Sequence, residues 1–518
     1  MKIEKTFLFC LLVLLATLRV RCRNFIADEE TVVVGDGSDL YVGNGKAAKE
    51  HYGTITFQYT PVGWDQEELQ FNIIEQNLDQ LSIDDTKGRK LMVFPEYALT
   101  TIKVKDDRKA AFRLSQIVPG NGIILCDDAA DPEQDYLAVH RLSCLAQRLQ
   151  IDLVANLVEK VECSATETNQ PCGSDGVLLY NTNVAFDKDG RLLAKYRKFN
   201  LLQEPALNRT DSAEAVTFTT SFGVTFGLVT GHDLLFHKPA VELVNVHRVT
   251  HFVHPTAWVN TLPFKTGTQI QMGWSRTLKV NLVSSSYLHV EKGYSGAGVY
   301  RKDGTYRMAI GLETGGEPIV DFFDQEDAVD LTMKNFHTES DALMAEFSST
   351  LLLNNKTAET CHGQFCCQLE IEADFGDEDH FYQLVAFSGK DGAGIQIQAC
   401  GLVACANAEV ASCGNALGES EYATRASFNS LLLKGNFSSS HVIPSTLHSE
   451  STLPFSFRGQ LARQWHENSG WLFGLALRQP IKVHTFALYS HDYRVSNNAA
   501  ATIPCLISLL CATVGLLV

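Results

Sequence analysis

The sequence has too few basic residues to balance its acidic ones. Its 518 residues include 43 Lys and Arg against 60 Asp and Glu, which gives a formal net charge of −17. A surface this negative repels phosphate groups, which argues against nucleic acid and against acidic lipid as partners. The chain between its two terminal segments also has no repeats and no low-complexity segments. This part of the chain is long for a single domain. We therefore expect two or more folded domains.

The apolar runs at the two ends fall short of the roughly 20 residues that a membrane-spanning helix requires. Residues 7–18 follow two lysines and precede an arginine pair, a pattern typical of a secretory signal peptide with cleavage near Cys22. An uncleaved anchor is the alternative. Residues 503–518 carry no charge, and no basic residue follows them. Together with the small residues before them, this favours a glycosylphosphatidylinositol signal over a retained tail helix. We expect this lipid anchor at Asn497 or Asn498, on the extracellular face of the cell membrane.

Cysteine motifs of the zinc-binding kind are missing from the sequence. No Cys-x-x-Cys pair occurs with a matching pair of His, so we expect no metal. Of the 14 cysteines, four lie in the terminal segments, which leaves ten, an even number. In a secretory compartment we expect these to form disulfides, with the pairing left open. Three sequons agree with that compartment and predict N-glycosylation at Asn208, Asn355 and Asn436.

Residues 51–260 alternate between strand-like and helix-like stretches, which predicts a layered α/β domain with buried strands. Strands are predicted at 54–59, 90–94, 151–157, 225–230 and 249–253, a hairpin at 177–186 and 192–196, and helices at 67–81, 135–149 and 266–279.

The part after residue 340 has a different pattern. It holds six of the ten remaining cysteines and alternating strands such as 381–387 and 394–399. We predict an α/β domain over 45–330 and a β-rich domain with disulfides over 340–495. The processing segments 1–22 and 497–518 flank them.

Three segments at predicted strand ends carry the chemistry that the sequence offers, because α/β sheets place functional residues on such loops. They are Phe94-Pro95-Glu96-Tyr97, Lys195-Tyr196-Arg197-Lys198 and Thr230-Gly231-His232-Asp233. In this order and spacing they resemble the vanin/biotinidase branch of the nitrilase (carbon–nitrogen hydrolase) superfamily. The resemblance extends over nearly the whole chain through Arg141-Leu-Ser-Cys144, Val154-Ala-Asn, Pro255-Thr-Ala-Trp258, Leu262-Pro263 and Cys361-x4-Cys366-Cys367.

The resemblance implies an α-β-β-α sandwich and a Glu–Lys–Cys triad that cleaves amide C–N bonds without a cofactor. In that mechanism a Cys thiolate attacks the amide carbonyl, a Glu moves protons, and a Lys stabilises the oxyanion. Glu96 matches the proton acceptor and Lys198 the proton donor and oxyanion stabiliser. Glu204 matches a supporting glutamate, and Trp258 is expected near the same pocket.

The position that matches the nucleophile holds Gly231, which has no side chain and forms no thiolate. The family mechanism then lacks its covalent intermediate, so the resemblance implies an inactive or impaired amidase. Thr230 and His232 flank the gap. Because neighbouring residues at a strand end point to opposite faces, we expect neither to replace the thiol.

Three functions are compatible with these residues. The first is a pantetheinase- or biotinidase-like surface protein with a defective triad that binds a small amide-type ligand. The second is a non-catalytic interaction protein that uses its second domain, and the third is a weak amidase in which His232 activates a water. His247, His251 and His254 have the spacing of metal ligands on a helix. However, the stretch around His251 has the pattern of a strand, which would place His251 and His254 on opposite faces.

Overall fold

The computed structural model describes residues 52–59, 89–126, 134–163, 174–309, 318–322, 339–353, 356–374, 381–415, 426–449, 454, 461–466 and 470–491. Three sequence predictions lie outside these residues: the helix at 67–81, the two processing segments and the glycosylation of Asn355. Within them, an α/β region comes first and an all-β region follows. None of the helices in this part of the chain has the length and apolar character needed to cross a bilayer.

Two sheets form the centre of the α/β region. The first contains β1 (Gly53–Tyr59), β2 (Arg89–Val93), β3 (Asp152–Glu162), β4 (Val177–Phe186), β5 (Leu192–Arg197) and β13 (Pro318–Phe322). The second contains β6 (Thr217–Thr219), β7 (Thr225–Leu228), β8 (His251–Thr256), β10 (Asn281–Tyr287), β11 (Ala297–Tyr300) and β12 (Tyr306–Ala309). Their orders are β13-β1-β2-β3-β4-β5 and β12-β11-β10-β8-β7-β6. The end of β1 pairs with β10, so the sheets join at one edge. A short parallel pair, β9 (Thr261–Leu262) and β14 (Glu339–Ser340), lies apart.

Helices cover the outer faces of the two sheets. They are α1 (Arg108–Leu114), α2 (Leu137–Leu149), α3 (Glu242–Asn245) and α4 (Gly267–Leu278). Shorter 3₁₀ turns lie at Ile102–Lys105, Gln134–Tyr136, Gly231–Leu235, Val290–Lys292, Ala342–Glu346 and Val410–Ser412, and a π-helical turn at His237–Val241.

The sequence of each long helix explains which sheet it covers. The apolar face of α2 packs against the first sheet in one core cluster, and Trp274 of α4 contacts Phe252 of β8 edge-on at 5.0 Å. Thr266 caps α4, because its hydroxyl accepts the Gln269 N–H while the Gln269 side chain accepts the Thr266 N–H. A third cluster, which includes Val154 of β3, fills the space between the sheets. The layers therefore run helix, sheet, sheet, helix, which confirms the predicted α-β-β-α sandwich.

The all-β region is a sandwich of two antiparallel five-stranded sheets. Its strands are β15 (Ser348–Leu351), β16 (Thr357–His362), β17 (Phe365–Asp374), β18 (Phe381–Lys390), β19 (Gln396–Cys405), β20 (Ser427–Phe437), β21 (Ile443–His448), β22 (Leu461–His466), β23 (Gly470–Leu477) and β24 (Val483–His491). The sheet orders are β15-β18-β19-β24-β21 and β16-β17-β20-β23-β22. Disulfides occur here as predicted: Cys361–Cys366, Cys367–Cys400 and Cys405–Cys413. Cys367–Cys400 links β17 to β19 and so ties one sheet to the other.

The β-sandwich packs against the α4 side of the α/β region. Gln269 of α4 donates to the Ser445 hydroxyl of β21 over 2.8 Å, and that hydroxyl donates to the Phe264 carbonyl. Phe264 also stacks on Phe347, at 5.7 Å between ring centroids. The two regions consequently share one continuous apolar core.

Candidate active site

The three residues that the sequence matches to a triad lie together at one edge of the sandwich. The strands β2 and β3 are parallel to each other. Since β4 is antiparallel to both of its neighbours, β3 and β5, the strand β5 runs in the same direction as β2 and β3. In the second sheet, parallel pairing through β1, β10 and β8 gives β7 that same direction. Glu96 follows β2, Lys198 follows β5 and Gly231 follows β7, so all three come at the carboxyl ends of strands.

Lys198 forms the centre of a buried ionic cluster with Glu96 and Glu204. Its ammonium nitrogen Nζ lies 2.8 Å from Glu96 Oε1 and 2.5 Å from Glu204 Oε1. Glu96 and Lys198 are each only 2% exposed. A Cβ built on Gly231 would lie 2.8 Å from Glu96 Oε2 and 3.0 Å from Lys198 Nζ. A side chain at position 231 would therefore point directly between the carboxylate and the ammonium.

The remaining carboxylate oxygens of this cluster also have hydrogen-bond donors. The Ala257 N–H donates to Glu96 Oε2 over 2.8 Å, and the Tyr97 hydroxyl donates to Glu204 Oε2 over 2.6 Å. The Asn181 amide reaches Glu96 Oε1 at 2.7 Å and Glu204 Oε2 at 3.1 Å. Every oxygen of the two carboxylates is thus satisfied, as buried charges require.

Three further residues complete this site: Tyr97 and Asn156, which lie in quoted motifs without a predicted role, and Asn181, which lies in none of the motifs. Asn156 positions both of the others, since its Oδ1 accepts the Tyr97 N–H and its Nδ2 donates to Asn181 Oδ1. Both asparagines are fully buried, and each lies on a strand with many buried apolar residues. A polar side chain in such a strand needs a partner, and this was the signal available in the sequence.

The charges in the cluster stabilise one another against burial. Burial raises the pKa of the Glu96 carboxyl above its usual value, and the positive charge of Lys198 opposes this rise. Burial alone would lower the pKa of the Lys198 ammonium, but the charges of Glu204 and Glu96 outweigh it and raise that pKa. Lys198 is therefore a cation at neutral pH, suited to stabilise an oxyanion or to hold two carboxylates.

Gly231 begins a 3₁₀ turn in a backbone conformation that favours glycine, with φ of 48°. Its carbonyl lies 2.8 Å from Nε2 of His254, whose Nδ1 lies 2.9 Å from the Ser284 hydroxyl. Because a carbonyl only accepts, Nε2 carries the hydrogen. Burial lowers the pKa of His254 to about 4, so the ring is neutral at physiological pH.

Asp233 fixes the start of the same turn. Its carboxylate accepts hydrogen bonds from the Thr230 N–H at 2.9 Å, the Tyr196 hydroxyl at 2.8 Å and the Asn200 amide at 2.8 Å. Burial raises the pKa of this carboxyl, and the three donors oppose that rise. The side chain thereby caps the 3₁₀ turn and sets the direction of position 231.

The expectation that a strand continues through Thr230 was wrong. The strand β7 ends at Leu228, and the Asp233 cap starts a 3₁₀ turn at Gly231 instead. The alternation of faces along a strand therefore does not describe residues 230–232. His232 lies against the Trp258 ring at 4.6 Å between centroids, and burial lowers the pKa of His232 far below its usual value. Trp258 contacts the segment after Gly231, and its indole N–H donates to the Lys265 carbonyl.

The three spaced histidines have separate surroundings. His251 lies 2.7 Å from the Asn281 amide and 3.1 Å from the Thr250 hydroxyl, whereas His254 bonds Gly231 as described. His247 is exposed. Both histidines of β8 are therefore held by hydrogen bonds on opposite faces of one strand, as the strand pattern predicted.

Two of the predicted glycosylation positions lie in the described part of the chain. Asn436 is an exposed residue of β20. Asn208 is half-buried, and its side-chain oxygen accepts from the Leu179 N–H and from Arg108, both over 2.9 Å. Glycosylation at both positions stays a prediction.

Comparisons with known proteins agree with this fold. The carbon-nitrogen hydrolase family model matches residues 57–262, and the vanin C-terminal domain model matches residues 336–496. The pantetheinase of Canis lupus familiaris is 33% identical over 74% of this chain and 77% of its own length. The biotinidase of Takifugu rubripes is 30% identical over 73% of this chain and 82% of its own length. Vanin-like protein 3 of Drosophila melanogaster is 28% identical over 88% of this chain and 92% of its own length. The chain belongs to the vanin/biotinidase branch of the carbon–nitrogen hydrolase superfamily.

Proposed function

We propose that this chain is a vanin-like cell-surface protein in which covalent amide hydrolysis is abolished or strongly impaired, because Gly231 occupies the place of the nucleophile. The observation that carries the proposal is the direction of position 231. A Cβ there would lie between Glu96 Oε2 and Lys198 Nζ, at 2.8 and 3.0 Å. That is where an attacking atom needs to be, next to a proton acceptor and an oxyanion-stabilising cation. Glycine supplies no such atom.

The ionic cluster supports this proposal, because it is complete without a nucleophile. Lys198 binds both carboxylates, and their other oxygens accept hydrogen bonds from Asn181, Tyr97 and Ala257. The carboxylate and ammonium also occupy the space that a side chain at 231 would use. We therefore propose that the cluster serves as a buried structural element and that the protein binds a small amide-type ligand without cleaving it.

The test compares the native protein with Gly231→Cys and with Gly231→Ala as the matched control. Both variants place a Cβ against the ends of Glu96 and Lys198, but only the first adds a thiol. Each protein is assayed on pantetheine and on biotinyl amides. We expect background rates for the native protein and for Gly231→Ala, and a gain of about 10²-fold or more for Gly231→Cys.

Hydrolysis by the native protein at the rate of Gly231→Cys would contradict the proposal. A native activity that His232→Phe abolishes would instead support the alternative in which His232 activates a water. If neither protein binds or cleaves the substrates, the interaction-protein alternative replaces the ligand-binding part of the proposal.

The surface location rests on the two terminal sequence patterns and on the disulfides, which form in an oxidising compartment. Expressed in cultured cells, the full chain should be released from the membrane by a phosphatidylinositol-specific phospholipase. A variant truncated before Asn497 should be secreted directly. Resistance to the phospholipase, with residues 503–518 detected in the mature protein by mass spectrometry, would contradict the lipid anchor.

A further inference from the structure

The hairpin formed by β16 and β17 carries a disulfide on the outer face of the β-sandwich. Cys361 and Cys366 lie directly opposite each other in this hairpin and are joined by a disulfide. Cys361 is exposed and Cys366 is half-buried. Among the disulfides with both cysteines in the described ranges, this is the one that has an exposed cysteine. A small thiol in solution can therefore reach the sulfur of Cys361.

The neighbouring disulfide is closed to such a reagent. Cys367 and Cys400 both have 0% of their surface exposed, because they lie in the apolar core between the two sheets of the sandwich. Successive residues of a strand point to opposite faces, so Cys366 faces outwards while Cys367 faces the core. The rate of thiol–disulfide exchange depends on access to the sulfur that is attacked. Exchange is consequently directed to Cys361–Cys366 rather than to the link between the sheets.

A carboxylate lies beside the exposed sulfur. Glu359 Oε1 is 3.9 Å from Cys361 Sγ, and a carboxylate oxygen of Glu359 and both sulfurs of the disulfide lie within 4.8 Å of one another. The Gln368 side-chain amide donates to Glu359 Oε2 over 2.8 Å, which holds the carboxylate in this place. An incoming thiolate therefore meets a negative charge at the point of attack. A positive charge on the same reagent offsets that repulsion.

Opening this disulfide leaves the hairpin in place. The strands β16 and β17 are paired without a break from Thr357 opposite Glu370 to His362 opposite Phe365. Phe365 is buried in the core of the sandwich and fixes the turn end of the hairpin. The disulfide closes only a short loop, so its removal restores little freedom to the chain. The bond can consequently open and close while the protein stays folded.

We propose that Cys361–Cys366 is a thiol-exchange site selective for small aminothiols, which are compounds that carry both a thiol and an ammonium group. The ammonium lies next to the Glu359 carboxylate while the thiolate of the same molecule attacks the disulfide. A thiol with a carboxylate is repelled by Glu359, and a thiol with no other charge falls between the two. The site is separate from the Glu96–Lys198 cluster and does not depend on the loss of catalysis proposed above.

The exchange is balanced without any further oxidant or reductant. The thiolate of the aminothiol attacks Cys361 Sγ in line with the S–S bond. A bond forms between the sulfur of the reagent and Cys361 Sγ, and the bond between the two cysteine sulfurs breaks. Cys366 leaves as a thiolate, which takes up a proton from water. The products are a mixed disulfide at Cys361 and a thiol at Cys366, so the number of disulfide bonds is unchanged.

The test measures initial rates of exchange of the full chain with aminoethanethiol, mercaptoethanol and mercaptoacetate at low ionic strength. The thiolates of these reagents carry no net charge, one negative charge and two negative charges, respectively. Each rate constant is divided by that of the same thiolate with a neutral model disulfide, because thiolates differ in intrinsic nucleophilicity. Reactions are quenched with iodoacetamide, and peptide mass spectrometry locates the mixed disulfide and the alkylated cysteine.

The main variant is Glu359→Gln, which removes the charge beside Cys361 and keeps the size of the side chain. The matched control is Glu372→Gln, an exposed carboxylate on the same strand as Cys366 and about 20 Å from it at the rise of a strand. Glu359→Lys reverses the charge beside the disulfide. Thermal unfolding verifies that each variant is folded, and the salt dependence of the native protein needs no variant.

The predicted glycan at Asn436 requires a control of its own. Gly435 is opposite Cys367, so the exposed Asn436 lies beside Cys366 on the outer face. Asn436→Gln removes the glycan and leaves the charge at Glu359 unchanged. The order of the three thiols should be the same in this variant as in the native protein. A preference that disappears with the glycan would overturn the role given to Glu359.

We expect the corrected rate constant of aminoethanethiol to exceed that of mercaptoacetate by about fivefold or more, with mercaptoethanol between them. This ratio should fall by about threefold in Glu359→Gln and in the native protein at high salt. It should reverse in Glu359→Lys and stay unchanged in Glu372→Gln. Equal corrected rates for the three thiols, or a native ratio in Glu359→Gln, would overturn the inference. So would a mixed disulfide mapped to another cysteine pair in place of Cys361.

Discussion

The α/β region and the β-sandwich stabilise their interiors in different ways. Inside the α/β region, Glu96, Lys198 and Glu204 form a charged cluster, and Asp233 is a further buried carboxylate. The interior of the β-sandwich is an apolar cluster in which Cys367 and Cys400 are joined by a disulfide. Among the disulfides with both cysteines described, three lie in the sandwich, whereas the α/β region has Cys126–Cys144.

The two interiors differ because buried charges serve a chemical site, whereas apolar burial and disulfides serve stability. Replacing a buried ion pair with apolar residues often leaves stability unchanged or raises it, so stability alone does not explain such a cluster. The sandwich, by contrast, uses apolar burial and covalent links, which serve stability directly. The charged cluster therefore agrees with the proposal that it is the polar part of an amidase site in which position 231 lacks a nucleophile.

The largest effect is expected when the central cation of the cluster is removed. Lys198→Met leaves two buried carboxylates without their ammonium, so the free energy of unfolding should fall by about 3–5 kcal/mol. Lys195→Met, three residues earlier on β5, is the matched control, because its partner Glu159 keeps Arg197 at 2.7 Å. The free energy of unfolding of this control should fall by less than about 1 kcal/mol. Urea denaturation of both variants measures the difference, and equal losses would show that the cluster is not a special feature of the α/β region.

The disulfides of the sandwich should contribute different amounts to the free energy of unfolding, according to the length of chain that each one closes. Cys367–Cys400 closes 33 residues and Cys361–Cys366 closes 5. The chain-entropy model gives about 4 and about 2 kcal/mol, respectively. Replacing both cysteines of each pair with Ala, followed by denaturation, should reproduce this order. The reverse order would mean that the sandwich relies on its hairpins more than on the link between its sheets.

A smaller effect is expected from pH, through buried neutral histidines. Burial lowers the pKa of His254 to about 4, whereas an unfolded histidine titrates near 6.5. Below about pH 6.5 the unfolded chain binds more protons, so stability falls as pH drops from 6.5 towards 4, by about 1 kcal/mol per pH unit for each such histidine. Glutamine at position 254 does not titrate, so His254→Gln should make the dependence of melting temperature on pH shallower between pH 7 and 5. An unchanged slope would show that His254 does not contribute to the dependence of stability on pH.

The layered α/β pattern could be predicted from the sequence because it depends on local alternation of strands and helices. The α-β-β-α sandwich and the roles of Glu96, Lys198 and Gly231 were implied by the family resemblance that the motifs carry, and those roles stay predictions. Asn156 lies in one of the motifs and Asn181 in none, and the role of neither could be predicted, since their partners come from other strands and meet them only when the sheet is assembled. The 3₁₀ turn at Gly231 was missed because the Asp233 side chain, and not strand periodicity, decides the backbone there. Disulfide pairing likewise depends on which strands become neighbours.

We propose that no atom in the site forms a bond to an acyl carbon. Intact-mass spectrometry after incubation with excess pantetheine and a rapid acid quench tests this directly. The native chain should keep its mass, and Gly231→Cys should gain the mass of one acyl group. An acyl adduct on the native chain, mapped to any residue beside Glu96 and Lys198, would contradict the account.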